Sequence, residues 1–260
     1  MTAALSPLAA KIEEVCLNAW PALQEMHFDG WLLRFANGMT RRTNSVNVVR
    51  EGVLTLAEKV SYCEEVYRRN GLATIFMILP VRDRTLDVFL DARGYVAVDE
   101  TSTLYADFQL HPISAVTDHV VELLPDRPSA EWLAARAAFR GLSKTDGANL
   151  EKILRALAIP TVFASVRDDE GRIVSIAKGA VHTGVVCLNL VATDPHCFRR
   201  GYSRACVTAI LKWARDEMGA QGACLQAVSN NTPAITLYRD LGFTEELYRY
   251  RYRVRPVHTV

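Results

Sequence analysis

The sequence predicts a mixed α/β fold built from two related units, on three observations. Helical and strand-like periodicities alternate along nearly the whole chain. Two stretches also answer each other. A helix ending at Gly71, the apolar strand IFMIL and then LDVFLDARGYV are matched by a helix ending at Gly219, CLQAV and then ITLYRDLGFT. Gly71 and Gly219 lie 148 residues apart, as do Gly94 and Gly242, so Gly94-Tyr95 and Gly242-Phe243 share one register. Between the units, residues 109–129 hold three prolines and read as a crossover. Two coincident helix-end glycines are the plainer account of the register, but the matching order of elements favours duplication.

In chain order, helical periodicity over 7–20 is followed by strand-like stretches over 30–36 and 43–49. A helix over 54–70 ends at Gly71, where a left-handed cap favours glycine. A short apolar strand (74–79), a helix (84–93) and a strand (95–108) complete the first unit. After the crossover, helices are expected over 130–140 and 146–157. A three-strand meander over 161–167, 172–182 and 185–193 turns at Asp169-Glu-Gly171 and at Gly184. A glycine loop, a helix to Met218, a strand (223–228), a helix (233–241) and a last strand (244–254) close the chain.

The 260 residues suffice for one large domain or two small ones. With 30 basic against 29 acidic residues, net charge +1 exerts no general pull on nucleic acid or anionic membrane, so any anion site must be local. Six cysteines (16, 63, 187, 197, 206, 224) form no Cys-x-x-Cys pair. They read as buried thiols of a reducing cytosol, with neither a disulfide framework nor a metal site expected. Lys11, Glu13 and Glu14 interrupt the first apolar run, which argues against a signal peptide, and no apolar run is long enough to span a bilayer.

The stretch DPHCFRRGYSRAC (194–206) carries the chemistry. The expected strand 185–193 enters it, and an amphipathic helix bearing Ala205, Val207, Ala209, Ile210, Leu211 and Trp213 leaves it. A helix N-terminus offers unpaired N–H groups and partial positive charge to an anion. Gly201 would permit close backbone approach, Ser203 keeps the first turn open, and Arg199, Arg200 and Arg204 are available for phosphate oxygens. Alone, Arg-Arg-Gly is equally a solvated turn. Downstream, however, Asn231-Thr-Pro-Ala234 and Leu237-Tyr-Arg-Asp-Leu-Gly-Phe243 follow at consistent separations.

Together these motifs, over roughly 120–254, resemble the GNAT superfamily of acetyl-CoA-dependent N-acetyltransferases. That family's loop reads Gln/Arg-x-x-Gly-x-Gly/Ala and is followed by Asn-x-x-Ala and Leu-Tyr-x-x-x-Gly-Phe. Gly201, Asn231, Ala234, Tyr238, Gly242 and Phe243 match; Phe198 and Ser203 depart, standing for Gln/Arg and the second Gly/Ala. The resemblance implies two tandem GNAT-like lobes, each a mixed, mostly antiparallel sheet flanked by helices. Residues 1–115 would be a degenerate lobe and 116–260 the catalytic one.

It also implies roles. Val191, Ala192 and Thr193 would present the splayed strand edge that holds the pantetheine arm of acetyl-CoA. Phe198, Arg199, Arg200, Gly201, Tyr202, Ser203 and Arg204 would hold its phosphates, largely through backbone N–H groups, which Phe198 supplies as well as Arg. Asn231 would contact the cofactor, cap the helix before Pro233, or both. Tyr238 would protonate the leaving thiolate, the plainer alternative being a core aromatic.

In the first lobe Glu51-Gly52-Val53 falls opposite Arg199-Arg200-Gly201, and Leu90 opposite Tyr238, so that lobe should not bind cofactor but should cover the second and shape the acceptor side. The expected activity is direct acetyl transfer to a primary amine of a small molecule or peptide, in the cytoplasm, with neither nucleic acid nor membrane as partner. A homodimer stays open, as does a catalytically silent CoA-binding or protein-interaction module.

Three further stretches have two readings. His182 and Asn189 lie on the strand pair leading to the site and Asp194 at its end, but a lone strand histidine is ordinarily structural, so no general base is assigned. Tyr248-Arg-Tyr-Arg-Tyr-Arg-Val254 suggests base stacking, or, more simply, tyrosines on one strand face with arginines in solvent. Thr40–Val46 is polar for a strand and suits either a cleft wall or a turn entering a strand.

Overall fold

The computed structural model describes residues 5–113 and 118–255. The first half contains α1 (Pro7–Ala19), β1 (Gln24–Phe28), β2 (Trp31–Phe35), β3 (Val46–Val48), α2 (Leu56–Arg69), β4 (Ile75–Ile78), α3 (Arg84–Ala92) and β5 (Val96–Asp107). The second contains β6 (Val121–Pro125), α4 (Ala130–Arg140), α5 (Lys144–Arg155), β7 (Thr161–Arg167), β8 (Ile173–His182) and β9 (Val185–Thr193). It ends with α6 (Tyr202–Asp216), β10 (Gly222–Val228), α7 (Thr232–Asp240) and β11 (Glu245–Val254).

Local chemistry sets many of the boundaries. Thr55 and Glu58 form a reciprocal capping box at α2. Ser6, Ser129 and Ser143 cap α1, α4 and α5 through their hydroxyls. Gly141 ends α4 in the left-handed conformation.

The mixed α/β class is as the sequence predicts, but the strands of both halves join one eleven-stranded sheet, in the order β1-β2-β3-β4-β11-β5-β10-β9-β8-β7-β6. Among the described residues only β3–β4 and β9–β10 pair in parallel; the other neighbours are antiparallel. The duplicated elements exchange their last strands. β11, from the second half, lies between β4 and β5, and β5 lies between β11 and β10. The expected boundary at residues 115/116 falls in 114–117, outside the described residues.

Two strands escape the sequence reading. β1 is an edge strand in which only Met26 and Phe28 pack on the first half's core while Gln24, Glu25 and His27 are exposed, so its apolar alternation is just two residues long. β6 is the opposite edge, hidden in the proline-bearing crossover because Pro125 at its end suits an edge position.

Successive residues of a strand face opposite sides of the sheet. Ala177 packs in the cluster with Val207, Ile210 and Leu211 of α6, whereas its neighbour Ile176 packs with Trp132 of α4. On this second face α1 crosses β8 to β11 and buries Ile12, Val15 and Ala19. The C-terminal carbonyls of α1 are held from both halves: Lys178 Nζ donates to Ala19 at 2.6 Å, and Arg34 Nη2 donates to Trp20 at 2.7 Å and Leu17 at 3.2 Å. Cations at a helix C-terminus satisfy its orphan carbonyls and its dipole. That anchorage fixes Trp20 over the second half.

Candidate active site

β9 and β10 pair only from Val185–Leu188 against Gly222–Leu225. Beyond Leu188 and Leu225 each strand keeps its outer neighbour, β8 or β5, and loses the inner one. The backbone edges of residues 189–193 and 226–228 therefore face each other across a wedge. A bulge accompanies the parting: Leu190 and Val191 together oppose Ala177 of β8. Leu190 adopts φ 56°, a left-handed conformation costing roughly 1–2 kcal/mol for a residue with a Cβ. Bulges bend a strand and re-aim its side chains.

A cavity of about 560 Å³ occupies the wedge and passes through the sheet. Val191, Leu225, Ala227, Ala234 and Tyr238 line it on the α6 side. Trp20, Asn189, Gln226, Tyr250 and Tyr252 line it on the other, joined by Arg41 and Arg42 and by Arg136 and Arg140 of α4.

Tyr238, 9 % exposed, meets Phe243 edge-on with ring centroids 5.9 Å apart. It belongs to the core and to the cavity wall at once. Among the described residues nothing hydrogen-bonds its hydroxyl, and burial pushes its pKa up to about 12. The phenol therefore carries its proton across the physiological range and can donate it. Asn231 also lines the cavity, and its Oδ1 accepts the Ala234 N–H at 3.3 Å. Its capping role and its place at the site coexist.

Beyond Thr193 the chain makes one helical turn, Pro195–Cys197, capped by Asp194, whose carboxylate accepts the His196 N–H at 2.9 Å. Gly201 then starts α6 in a left-handed conformation (φ 81°) with no side-chain cap. Tyr202, Ser203 and Arg204 form the uncapped first turn of α6. Arg199 is also left-handed (φ 61°), Phe198 is 60 % exposed, and His119 Nε2 donates to the Arg200 carbonyl at 2.8 Å. Residues 198–204 lie outside the cavity wall. Two expected contacts already have protein partners. Ser203 Oγ is 2.6 Å from Thr193 Oγ1, itself 2.8 Å from Ser175 Oγ, and Arg204 pairs with Asp240 at 2.8 Å. The hydroxyl chain ties the start of α6 to β9 and β8.

The first half has a self-made anion where the second has an open turn. Asp29 accepts N–H bonds from Val53 at 2.9 Å and Leu54 at 3.0 Å, and Lys59 lies 3.1 Å from its carboxylate. A Cβ on Gly52 would collide with that carboxylate. Leu90, opposite Tyr238 in the repeat, is fully buried in the first half's own core.

The structure decides between the two readings of each of the three ambiguous stretches. His182 sits at the far end of the β8–β9 hairpin, 3.0 Å from Glu14 of α1, and is not brought to the site. Asp194 is engaged as a cap. Of that trio only Asn189 reaches the cavity, where its Oδ1 is buried without a partner. Tyr248, Tyr250 and Tyr252 are buried, but the alternating arginines are not all in solvent: Arg253 is buried, donating to Asp87 at 2.7 Å and Asp91 at 2.6 Å, and Arg251 joins it on Asp87. The Thr40–Val46 stretch does reach the cleft, through Thr40, Arg41 and Arg42.

The cysteines are less scattered in space than in sequence. All six are free thiols, but Cys16 of α1 lies 4.0 Å from Cys224 of β10 and 3.9 Å from Cys187 of β9. These three buried sulfurs are the one group among the described residues that could hold a metal ion. They come from remote elements, so sequence spacing hides them. Arg136 and Arg140 escaped the sequence reading too; their one signal is a pair of arginines four apart on an alanine-rich helix.

Among the described residues no helix is long and apolar enough to cross a membrane. The fold matches that of a GCN5-related N-acetyltransferase from Kribbella flavida, at 18 % identity with 96 % of each chain covered and a TM-score of 0.70. It also matches a tandem GNAT protein from the clavulanic acid biosynthesis pathway, at 13 % identity with 81 % of this chain and 74 % of that one covered and a TM-score of 0.64. In sequence, the chain is 26 % identical over 251 residues to the "Uncharacterized N-acetyltransferase YobR" of Bacillus subtilis, covering 94 % of this chain and 98 % of that protein. It is 29 % identical over 146 residues to the mycothiol acetyltransferase of an Arthrobacter species, covering 51 % and 45 %.

A splayed strand pair, an uncapped glycine turn and two tandem units define a fold of the GNAT type. Residues 9–253 match the family described as "Probable histone acetyltransferase Rv0428c C-terminal", and the chain belongs to that family.

Proposed function

We propose that the protein transfers the acetyl group of acetyl-CoA to a primary amine by direct attack in a ternary complex. The observation that carries this reading is Tyr238, whose buried ring lines the wedge and whose hydroxyl has no hydrogen-bond partner among the described residues. An activated thioester is what acetyl-CoA supplies when bound. The residues present fit it: the edge Val191-Ala192-Thr193 has lost its inner neighbour, and the uncapped turn at Gly201 leaves N–H groups suited to phosphate.

In this reading the backbone of Val191–Thr193 orients the pantetheine amides, and the N–H groups of Phe198–Arg204 take the phosphates. Asn231 borders the arm from α7. The amine enters from the α1 and α4 face. An N–C bond forms as the thioester C–S bond breaks. The amine gives up one proton, and Tyr238 supplies one to the departing sulfur.

Asp99, the one carboxylate in the cavity wall among the described residues, is bonded to Arg41, so the base stays unassigned. Division of labour follows the repeat: residues 116–260 bind the cofactor, and residues 1–115, with Asp29 in the place of an external anion, contribute cleft wall. The six free cysteines suit a reducing cytosol.

The test is free-thiol release from acetyl-CoA across a panel of amines. The wild type should show amine-dependent release that falls by roughly tenfold or more in Tyr238→Phe. CoA binding without release from any amine would instead favour a silent binding module.

A further inference from the structure

The acceptor side of the cavity carries more positive charge than the described residues neutralise. Arg41, Arg42, Arg136 and Arg140 line it against, among the described residues, a single carboxylate, Asp99, which Arg41 engages. Arg42 donates to the Tyr250 hydroxyl at 3.0 Å, yet its Nε is buried without an acceptor among the described residues. Nε and Nη1 of Arg136 are likewise buried and unpartnered, and no ion pair reaches Arg136 among the described residues. Arg140 follows one helical turn later, on the same face of α4. Burying a guanidinium without a counter-charge is unfavourable. Its strain shows in Arg136, whose pKa burial and the neighbouring Arg140 push down to about 10.

The unsatisfied atoms are chemically complementary to one kind of ligand. Arg42 and Arg136 offer donors that call for an anion. Asn189, at the start of the wedge, offers a buried carbonyl oxygen that calls for an N–H. Trp20, Tyr250 and Tyr252 add flat apolar surface between them. A lysine-rich peptide would bring more positive charge to this wall and leave its donors empty.

We infer that the acceptor is a small amine that also carries an anionic group, the anion held by the Arg42, Arg136 and Arg140 wall and the amine hydrogen-bonded by Asn189 Oδ1. This rests on the acetyl-transfer reading above and narrows it to a substrate class. The anion is a carboxylate or a phosphate; both take paired guanidinium hydrogen bonds.

The test measures initial thiol release from acetyl-CoA with matched pairs: leucine against leucinamide, O-phosphoethanolamine against ethanolamine, and a lysine-rich peptide. In parallel, melting curves are recorded with each amine and with CoA alone. At least one anionic member should exceed its neutral counterpart in kcat/KM by roughly tenfold or more, as expected for a buried charge-assisted contact. Arg136→Gln should collapse that ratio through KM, and Arg140→Gln, at the exposed end of α4, should reduce it in the same direction. The favoured anionic amine should raise the Tm of the wild type and not of Arg136→Gln, whereas CoA should raise both.

Equal or better use of the neutral amines or of the peptide overturns the inference and leaves acetyl transfer standing. Loss of CoA binding in Arg136→Gln also overturns it, assigning the arginines to the cofactor's phosphates. An Arg136-dependent thermal shift with no thiol release from any amine supports the anion site while overturning the transfer reading.

Discussion

The carboxylate of Asp29 accepts the backbone N–H of Val53 at 2.9 Å, and that of Leu54 at 3.0 Å, in the first half's counterpart of the glycine turn at Gly201. These bonds, Val53's foremost, hold the Asp29 carboxyl below its ordinary range. An internal anion thus stands where the second half leaves donors free. Calorimetric titration with CoA should therefore give one site per chain. Gly201→Glu should abolish it, because a side chain at φ 81° is strained and a carboxylate repels phosphate. Two independent sites would contradict this account of the repeat.

The exchanged strands carry a second prediction. β5 lies between β10 and β11, so residues 118–255 expressed alone would leave β10 and β11 without their shared neighbour. Unpaired, apolar strand edges aggregate. That fragment should be insoluble, and co-expression with residues 1–113 should recover soluble protein. A soluble fragment that binds CoA unaided would show that β5 is dispensable.

Arg253 joins β11 to α3 through Asp87 and Asp91, and to the turn after α3 through the Tyr95 carbonyl. Burial raises the Asp87 pKa, but hydrogen bonds from Arg253 and Arg251 outweigh that and hold it below the usual carboxylate range. A depressed carboxyl contributes stability that is present above the unfolded pKa and lost as pH falls through the folded one. Arg253→Ala should therefore lower stability at neutral pH by about 3 kcal/mol, the order expected when a buried partner is removed. It should also flatten the acid limb of the stability profile. Denaturant titrations at neutral and acid pH decide the matter; an unchanged acid limb would locate that dependence elsewhere.

Much of this was legible in the sequence, for reasons that particular residues make clear. The 148-residue register located Leu90 and Tyr238 in equivalent helices, and the structure buries one and sets the other in a cavity wall. The cap at Asn231 and the left-handed glycine at Gly71 were readable because both are local properties of the chain. The strand exchange was not, since pairing of β11 with β4 depends on contacts some 175 residues apart, which carry no periodic signature. Arg136 and the three converging cysteines were hidden for the same reason. Arg253 misled because a charged residue in an alternating strand reads as solvent-facing unless its buried partner, here Asp87 on another element, is known.

Burial places the Tyr238 pKa at about 12, above the usual value of about 10 for a phenol. If this group supplies the proton, kcat should show no alkaline decline attributable to it between roughly pH 8 and 10, the range in which a solvent-exposed phenol begins to ionise. A decline there that persists in Tyr238→Phe belongs to another group; one that vanishes in the mutant would contradict the raised pKa.

The most direct test of the central claim compares wild type and Tyr238→Phe in two measurements on the same preparations, CoA affinity by calorimetry and amine-dependent thiol release from acetyl-CoA. The ring stays and only the hydroxyl is lost, so affinity should be unchanged while kcat falls roughly tenfold to a thousandfold, the range for removing an acid catalyst. Full kcat in Tyr238→Phe would return the residue to the core and take away the chemistry proposed for the wedge.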